Sequence, residues 1–523
     1  MAKMVTIKVD GQSVEVEEGV NLIAALDAAG IHIPHFCYHP ALGFDGNCRL
    51  CLIEVEGGRG PQIACNTPAQ DGMEIYLSRE SSMALRRNTL EFTLINHPLD
   101  CPICDQAGEC KLQDYYMELG PYQSRMDASK KVDKGKKFDF GCNIVHDQER
   151  CVLCARCVRF LRQVTGTAEL GITNRSELAR VTTFPGKPVD NRYAMNIIDI
   201  CPVGAMTSKD FRFKQRVWYL KTAKSVCHGC AKGCSIYVDH NQEKYKRDKV
   251  YRFRPRVNDL VNGHFICDEG RLSYRRENEN RMTRATVNGI PEDTVNAIQS
   301  ARSSIEGSSG NLLVVVDPNW TTEQLYSAKK LAEHYGGKIN GYSANQVQVG
   351  DGDDYLIRDD KAANRRSLEL LEISQDKAHF TRYLRESAVV LLLGNDILDG
   401  LSVEQADEIT TLLDEKTVIA VDSHSGGASR LADITIPCAS YSEYSGALVN
   451  CDGILQHIEK AVTNDNTAAP AQVTLAQLAS DAWNSELQVL RQELSAKVAA
   501  LAEVSWDDLP DTGVALEKKE AHV

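Results

Sequence analysis

Apolar and polar positions alternate over residues 4–9, break at Asp10-Gly11-Gln12 and alternate again over 13–17, which predicts a β-hairpin. Residues 21–29 then carry apolar side chains at helical spacing, and residues 51–55 form a strand closed by the turn at Gly57-Gly58. This is the pattern of a compact, loop-rich α+β domain. Over 81–96 the positions of Met83, Leu85, Leu90, Phe92, Leu94 and Ile95 predict a largely buried helix that ends at His97. The lysine-rich stretch 130–137 predicts a solvated loop. Beyond Cys267 the character changes to β-branched and leucine runs at 312–316, 388–393 and 418–421, separated by helical stretches such as 322–335. That alternation predicts an α/β domain with a parallel sheet. The Ala-, Leu-, Glu- and Lys-rich end predicts a helix and then a frayed tail from about Thr512.

Composition narrows the function classes. A chain of 523 residues with 43% hydrophobic content predicts three or more domains. A net charge of −13 argues against a nucleic-acid or anionic-membrane surface as the main partner, because such binding needs clustered Lys and Arg. The strongest apolar run, 388–393, is the length of a strand and far short of the roughly 18 residues a membrane helix needs. The N-terminus lacks a charged lead followed by an apolar core, so the protein is read as unexported. In a reducing compartment, grouped cysteines then point to metal or redox work rather than disulfides.

Those cysteines carry the chemistry. All but Cys142, Cys438 and Cys451 fall into four groups, one of them completed by a histidine. The first, Cys37, Cys48, Cys51 and Cys65, has the form of the plant-type ferredoxin run and favours a [2Fe-2S] cluster over zinc. His97, Cys101, Cys104 and Cys110 could on chemistry alone hold zinc, but their place between two cluster motifs favours an iron-sulfur cluster with an imidazole ligand. Replacing a thiolate by imidazole makes a cluster less negative and raises its potential. The third, Cys151, Cys154, Cys157 and Cys201-Pro202, splits the bacterial ferredoxin run into its three-cysteine and Cys-Pro parts. The fourth, Cys227, Cys230, Cys234 and Cys267, again suits [4Fe-4S]. The three remaining cysteines read as free and buried, without a role. No G-x-G-x-x-G follows a strand, so the chain has no NADH site of its own.

The order of these sites resembles the large iron-sulfur subunits of bacterial respiratory complex I, a family within the NADH-quinone oxidoreductases. The stretches that carry the resemblance are His35-Phe36-Cys37-Tyr38-His39-Pro40, Gly46-Asn47-Cys48-Arg49-Leu50-Cys51, the run from His97 to Cys110, and Arg150-Cys151 through Phe160. The resemblance implies a multidomain α+β and α/β chain. A β-grasp [2Fe-2S] ferredoxin domain would occupy 1–80, a helical [4Fe-4S] segment with one histidine and three cysteine ligands 81–140, and a ferredoxin-like [4Fe-4S] domain 141–219. A [4Fe-4S] molybdopterin-oxidoreductase-type domain at 220–276, a shortened α/β remnant at 277–511 and a tail at 512–523 would follow. The stretches 432–437 and 446–450 resemble late motifs of the molybdopterin superfamily, but the part after Cys267 is about half of what a full molybdenum-binding domain needs. A remnant without metal or pterin is therefore expected.

By the same resemblance the function is electron transfer from a flavin-bearing, NADH-oxidising subunit toward a ferredoxin-like two-cluster subunit and finally quinone. One [2Fe-2S] and three [4Fe-4S] clusters, no catalytic residue and no membrane span of its own are expected. The location would be the cytoplasmic face of the inner membrane, held through other complex I subunits. Two alternatives stand beside this: the cluster-bearing subunit of a soluble NAD-linked formate dehydrogenase or hydrogenase, and a zinc-stabilised scaffold.

Overall fold

A computed structural model describes residues 3–120, 122–241, 249–342, 347–394, 397–398, 400–463, 468–480 and 482–516. The chain divides into two compact units, Met1–Tyr219 and Leu220–Val523.

The first unit opens with the predicted hairpin, Met4–Val9 against Gln12–Glu17, in a five-stranded sheet that continues through Glu74–Tyr76, Leu52–Val55 and Gln62–Ile63. Met4–Val9 and Glu74–Tyr76 run parallel, so the two ends of this domain clasp the helix Leu22–Ala28, whose first turn is capped by the Asn21 side chain. Val5, Ile7, Val9, Leu22, Ile23 and Leu26 meet in its core, together with Cys51 and Cys65.

The helix predicted over 81–96 forms as Glu80–Leu94, but it is only half-buried: Leu90 is fully covered while Phe92 is 76% exposed. Its inner face includes Arg86, which donates to the carbonyls of Leu52 and Leu77. The lysine stretch also departs from expectation. Lys134 is buried with its Nζ on the Ala179 carbonyl, Lys131 donates to the His97 carbonyl and Lys136 pairs with Asp100 and Glu149. Long side chains with free donors close these loop carbonyls and carboxylates, which a count of lysines does not show.

In the second unit, three antiparallel strands, Lys221–Val226, Ser235–His240 and Val250–Pro255, precede a seven-stranded sheet. Five of its strands are parallel, in the order Ile434–Pro437, Thr417–Asp422, Val389–Leu393, Leu312–Val316, Lys338–Asn340. An antiparallel hairpin, Ala285–Val287 and Ile290–Glu292, extends one edge. The leucine and valine runs are buried on both faces, as central parallel strands require. The expected tail is corrected in part: Val514–Ala515 pairs with Ile454–Ile458. Residues 517–523 lie outside the described residues.

Candidate metal centres

Each predicted group of cysteines is brought together, the close pairs by local turns and Cys65, Cys201 and Cys267 by contacts across longer stretches of chain. In the first, Cys37, Cys51 and Cys65 are buried and Cys48 is half-buried. Hydrogen bonds from Cys48 and Cys65 pull the Cys37 thiol down, and the thiols of Cys48 and Cys65 are pushed up in return. The four sulfurs therefore share one small space. The Phe36 amide donates to the Cys48 sulfur at 3.4 Å, a contact that favours the thiolate a cluster needs.

In the second group Cys104 and Cys110 are buried and Cys101 is exposed. Burial pushes the Cys110 thiol up to about 11, with Cys104 and Cys101 adding to it. Burial likewise holds His97 at about 4, so its imidazole is neutral and has a lone pair to offer a metal. His97 shares with Cys104 the charged neighbours Asp100 and Arg150. Arg150 binds both oxygens of Asp100, at 3.1 and 2.6 Å.

The third group is the most fully formed. Cys151, Cys154, Cys157 and Cys201 line one cavity, walled otherwise by His146, Val152, Ala155, Arg156, Val181, Val203, Ala205 and Met206. Burial pushes all four thiols up, and each of the first three feels its neighbours' charge. Cys157 lies in the first turn of the helix Arg156–Gln163. The turn before it requires left-handed backbone at Leu153 (φ 53°) and Ala155 (φ 59°), on either side of Cys154. Non-glycine residues rarely adopt that conformation, and strain of this kind collects where side chains must be aimed. Arg49, inside the Cys48/Cys51 pair, does the same at φ 54°.

The fourth group sits at the end of the three-stranded sheet, where the Cys227 amide donates to the Cys234 carbonyl at 2.8 Å. Cys267 caps the helix Asp268–Leu272, its sulfur accepting from the Gly270 amide at 3.3 Å. Gly270 is needed for room, since a Cβ there would stand 2.8 Å from the Cys227 sulfur and 3.2 Å from that of Cys267. Among the described residues no three His, Cys, Asp or Glu side chains form a site for a single metal ion. The fit to clusters rests on grouped thiols, amides aimed at sulfur at Cys48, Cys151 and Cys267, and apolar walls, while among the described residues His97 is linked to its cysteines only through the shared neighbours Asp100 and Arg150.

Of the three cysteines outside these groups, Cys438 is buried, whereas Cys142 and Cys451 are exposed, which corrects the expectation for those two.

The first three sites are joined. Phe36, Cys37, Leu50, Cys110, Cys154, Val203 and Ala205 belong to one apolar core, with Cys48, Cys151 and Cys201 against it. Arg159 donates to the Cys37 and Leu42 carbonyls, and Asn47 to that of Leu153, tying the first loop to the third. The Lys111 amide donates to the Pro202 carbonyl at 2.9 Å, linking the residues that follow Cys110 and Cys201. The loops of the third site thus touch those of both the first and the second.

Four stretches match described families: a 2Fe-2S iron-sulfur cluster binding domain over residues 2–80, the NADH-ubiquinone oxidoreductase-G iron-sulfur binding region over 86–125, the NADH-quinone oxidoreductase subunit 3 ferredoxin-like domain over 141–207, and the molybdopterin oxidoreductase Fe4S4 domain over 220–279. The G subunit of NADH-quinone oxidoreductase from Rickettsia conorii is 36% identical over 66% of this chain and 50% of its own length. Its counterpart from Rickettsia bellii is 28% identical over 96% of this chain and 90% of its own. Over these stretches the chain is similar to the iron-sulfur subunits of NADH-quinone oxidoreductase. It spans about half the length of curated relatives it matches, 50% of the Rickettsia conorii protein and 39% of the Streptomyces coelicolor one. A solved structure described as an NAD+-reducing [NiFe]-hydrogenase in the H2-reduced state is 31% identical over 41% of this chain and 91% of that chain, with a TM-score of 0.37. The chain carries 2Fe-2S and 4Fe-4S types of iron-sulfur domain. No helix among the described residues is long and apolar enough to cross a membrane.

A further cavity in the second unit lies beside the fourth site, with His228 and Gly229 in its wall. Asp317, Gly394 and Asp422 reach it from the C-terminal ends of three parallel strands, at the point where the strand order reverses. Sequence reasoning missed this cavity and the strained residues inside the cysteine pairs. The pocket is assembled from several separate segments, and Leu153, Ala155 and Arg49 carry no residue-type signal for positive φ.

Proposed function

We propose that the chain is the iron-sulfur relay of a membrane-bound NADH-quinone oxidoreductase, taking single electrons from a flavin-bearing NADH-oxidising subunit and passing them toward a two-cluster ferredoxin-like subunit and quinone. The observation that supports this best is the common apolar core that joins the first three groups of ligands. A relay needs its redox centres close, dry and rigidly held, and loops tied to one another by buried arginines meet that need.

The proposed ligands are Cys37, Cys48, Cys51 and Cys65 for one [2Fe-2S] cluster, and His97, Cys101, Cys104 and Cys110; Cys151, Cys154, Cys157 and Cys201; and Cys227, Cys230, Cys234 and Cys267 for three [4Fe-4S] clusters. When bound, the clusters supply one-electron chemistry without bond-making in the protein. This chain's residues supply the donors, exclude water and set the local charge. The fourth site belongs to the other unit and is proposed as a side centre. No pterin is proposed for the cavity beside it: its wall offers carboxyl groups of Glu277, Asp317 and Asp422 against the single guanidinium of Arg276, a poor lining for a nucleotide-bearing, phosphate-rich cofactor. The domain division given above and a peripheral place on the cytoplasmic face of the membrane are part of the same proposal.

The test is anaerobic purification from native membranes, with iron, acid-labile sulfide and zinc measured and the co-purifying chains identified. A brown complex with a flavoprotein and membrane subunits supports the reading. Colourless, zinc-loaded protein sinks it, and a soluble hydrogenase or formate dehydrogenase as partner replaces it by that alternative.

A further inference from the structure

We infer that the charge of Arg156 is the built-in counter-ion of the third site, shared with the first, and that it raises the third site's reduction potential. The inference rests on the reading that Cys151, Cys154, Cys157 and Cys201 hold a [4Fe-4S] cluster.

Arg156 lies between Cys154 and Cys157, is 9% exposed and lines the cavity with the four thiols. One guanidinium nitrogen donates to the Ile200 carbonyl at 3.1 Å and the other to the Tyr38 carbonyl. Ile200 precedes Cys201 and Tyr38 follows Cys37, so one cation touches the ligand loops of both sites. Its Nε is buried and has no hydrogen-bond partner. No carboxylate among the described residues pairs with it. Arg150, also buried, is different: Asp100 and Asp147 both pair with it.

A buried guanidinium normally demands an anion. This one also stands at the first position of the helix Arg156–Gln163, where the helix dipole disfavours positive charge. Four thiolates around a cluster carry net negative charge, so an occupied third site supplies the anion that the polypeptide withholds. Adding one electron makes that site one charge more negative, with no proton or bond involved. A fixed cation at its wall stabilises the reduced form more than the oxidised one, because attraction scales with the product of charges. Arg156 is thus a tuning residue acting through space, and its two carbonyl contacts hold the charge in place.

The experiment is a dithionite titration of the whole membrane complex, followed by electron paramagnetic resonance, for wild type, Arg156→Gln and Arg156→Lys. The midpoint of the third site is expected to shift downward in R156Q and to stay near wild type in R156K, while that of the second site is unmoved in both. An unshifted R156Q, or an R156K that falls as far as R156Q, overturns the inference, the latter by showing that the contacts and not the charge matter. If R156Q cannot hold the cluster, the same contrast is read as iron retained during chelation: R156K must keep it, and equal loss in both variants overturns the inference. A third site without iron in the wild type refutes the underlying reading instead.

Discussion

Gly204 and Cys104 approach so closely that a Cβ on the glycine would collide with the cysteine sulfur and stand 3.0 Å from the Cβ of Gln106. Gly204 lies three residues after Cys201, so a residue in the Cys-Pro segment of the third site sets the room available to a ligand of the second. The two sites are built as one piece.

Gly204→Ala is therefore expected to displace Cys104 and to cost about 1–3 kcal/mol of overpacking. Iron per chain should fall by the content of one cluster, with the resonance signal of the second site lost and that of the third retained. A variant with both signals and full iron would show that the sulfur has space to move.

His97 tests the ligand set of the second site. Its imidazole is held neutral at about 4, chiefly by burial, and Lys131 on its carbonyl fixes the segment at 2.8 Å. His97→Cys exchanges a neutral donor for a thiolate, so the midpoint of that site is expected to fall while iron content stays the same. His97→Ala should leave three donors and a site that loses iron on dilution. If neither variant alters the potential or the iron, His97 is not a ligand.

Much of this architecture could be read from residue type and spacing. The cysteine groups, the hairpin and the parallel strands follow from patterns that act locally, since a C-x2-C turn or a run such as Leu312–Val316 needs little context. What could not be read depends on partners distant in sequence. Lys134 is buried because the Ala179 carbonyl lies opposite it, and Phe92 is exposed although it falls in the same apolar run as buried Leu90. The joining of the third site to the first likewise rests on contacts such as Asn47 with Leu153, 106 residues apart. The strain at Leu153 and Ala155 has no sequence signal, because the residue types are ordinary and the ligand geometry imposes the backbone.

Exposure ranks the sites for metal loss. Cys101 is exposed, whereas Cys37, Cys51 and Cys65 are buried around the first site. Under mild oxidation with a chelator present, the second site is expected to lose iron before the first. The order is read from the decay of each resonance signal over time. Faster loss from the first site would mean that opening of the loops, rather than static exposure, controls access.

Asp239 offers a test of the second unit that is independent of metal. Its carboxylate, 1% exposed, accepts from Arg252 Nε at 2.7 Å, from Arg254 at 2.7 and 2.9 Å and from Thr222 at 2.8 Å, across all three strands of the small sheet. Burial alone would push this carboxyl up, but Arg254 and Arg252 outweigh it and hold it at about 2. An unfolded aspartate titrates near ~3.9. The folded value is the lower one, so the stabilisation is fully present above about pH 4 and is lost as pH falls through about 2. Asp239→Asn removes the buried carboxylate that accepts from both guanidinium groups and from Thr222, and is expected to destabilise this unit by about 3 kcal/mol at pH 7. Denaturant unfolding of the wild type and the variant measures that gap, which should narrow steadily below pH 4. A gap that is absent at pH 7, or one that widens in acid, would mean that the arginines find other anions and that Asp239 does not hold the sheet together.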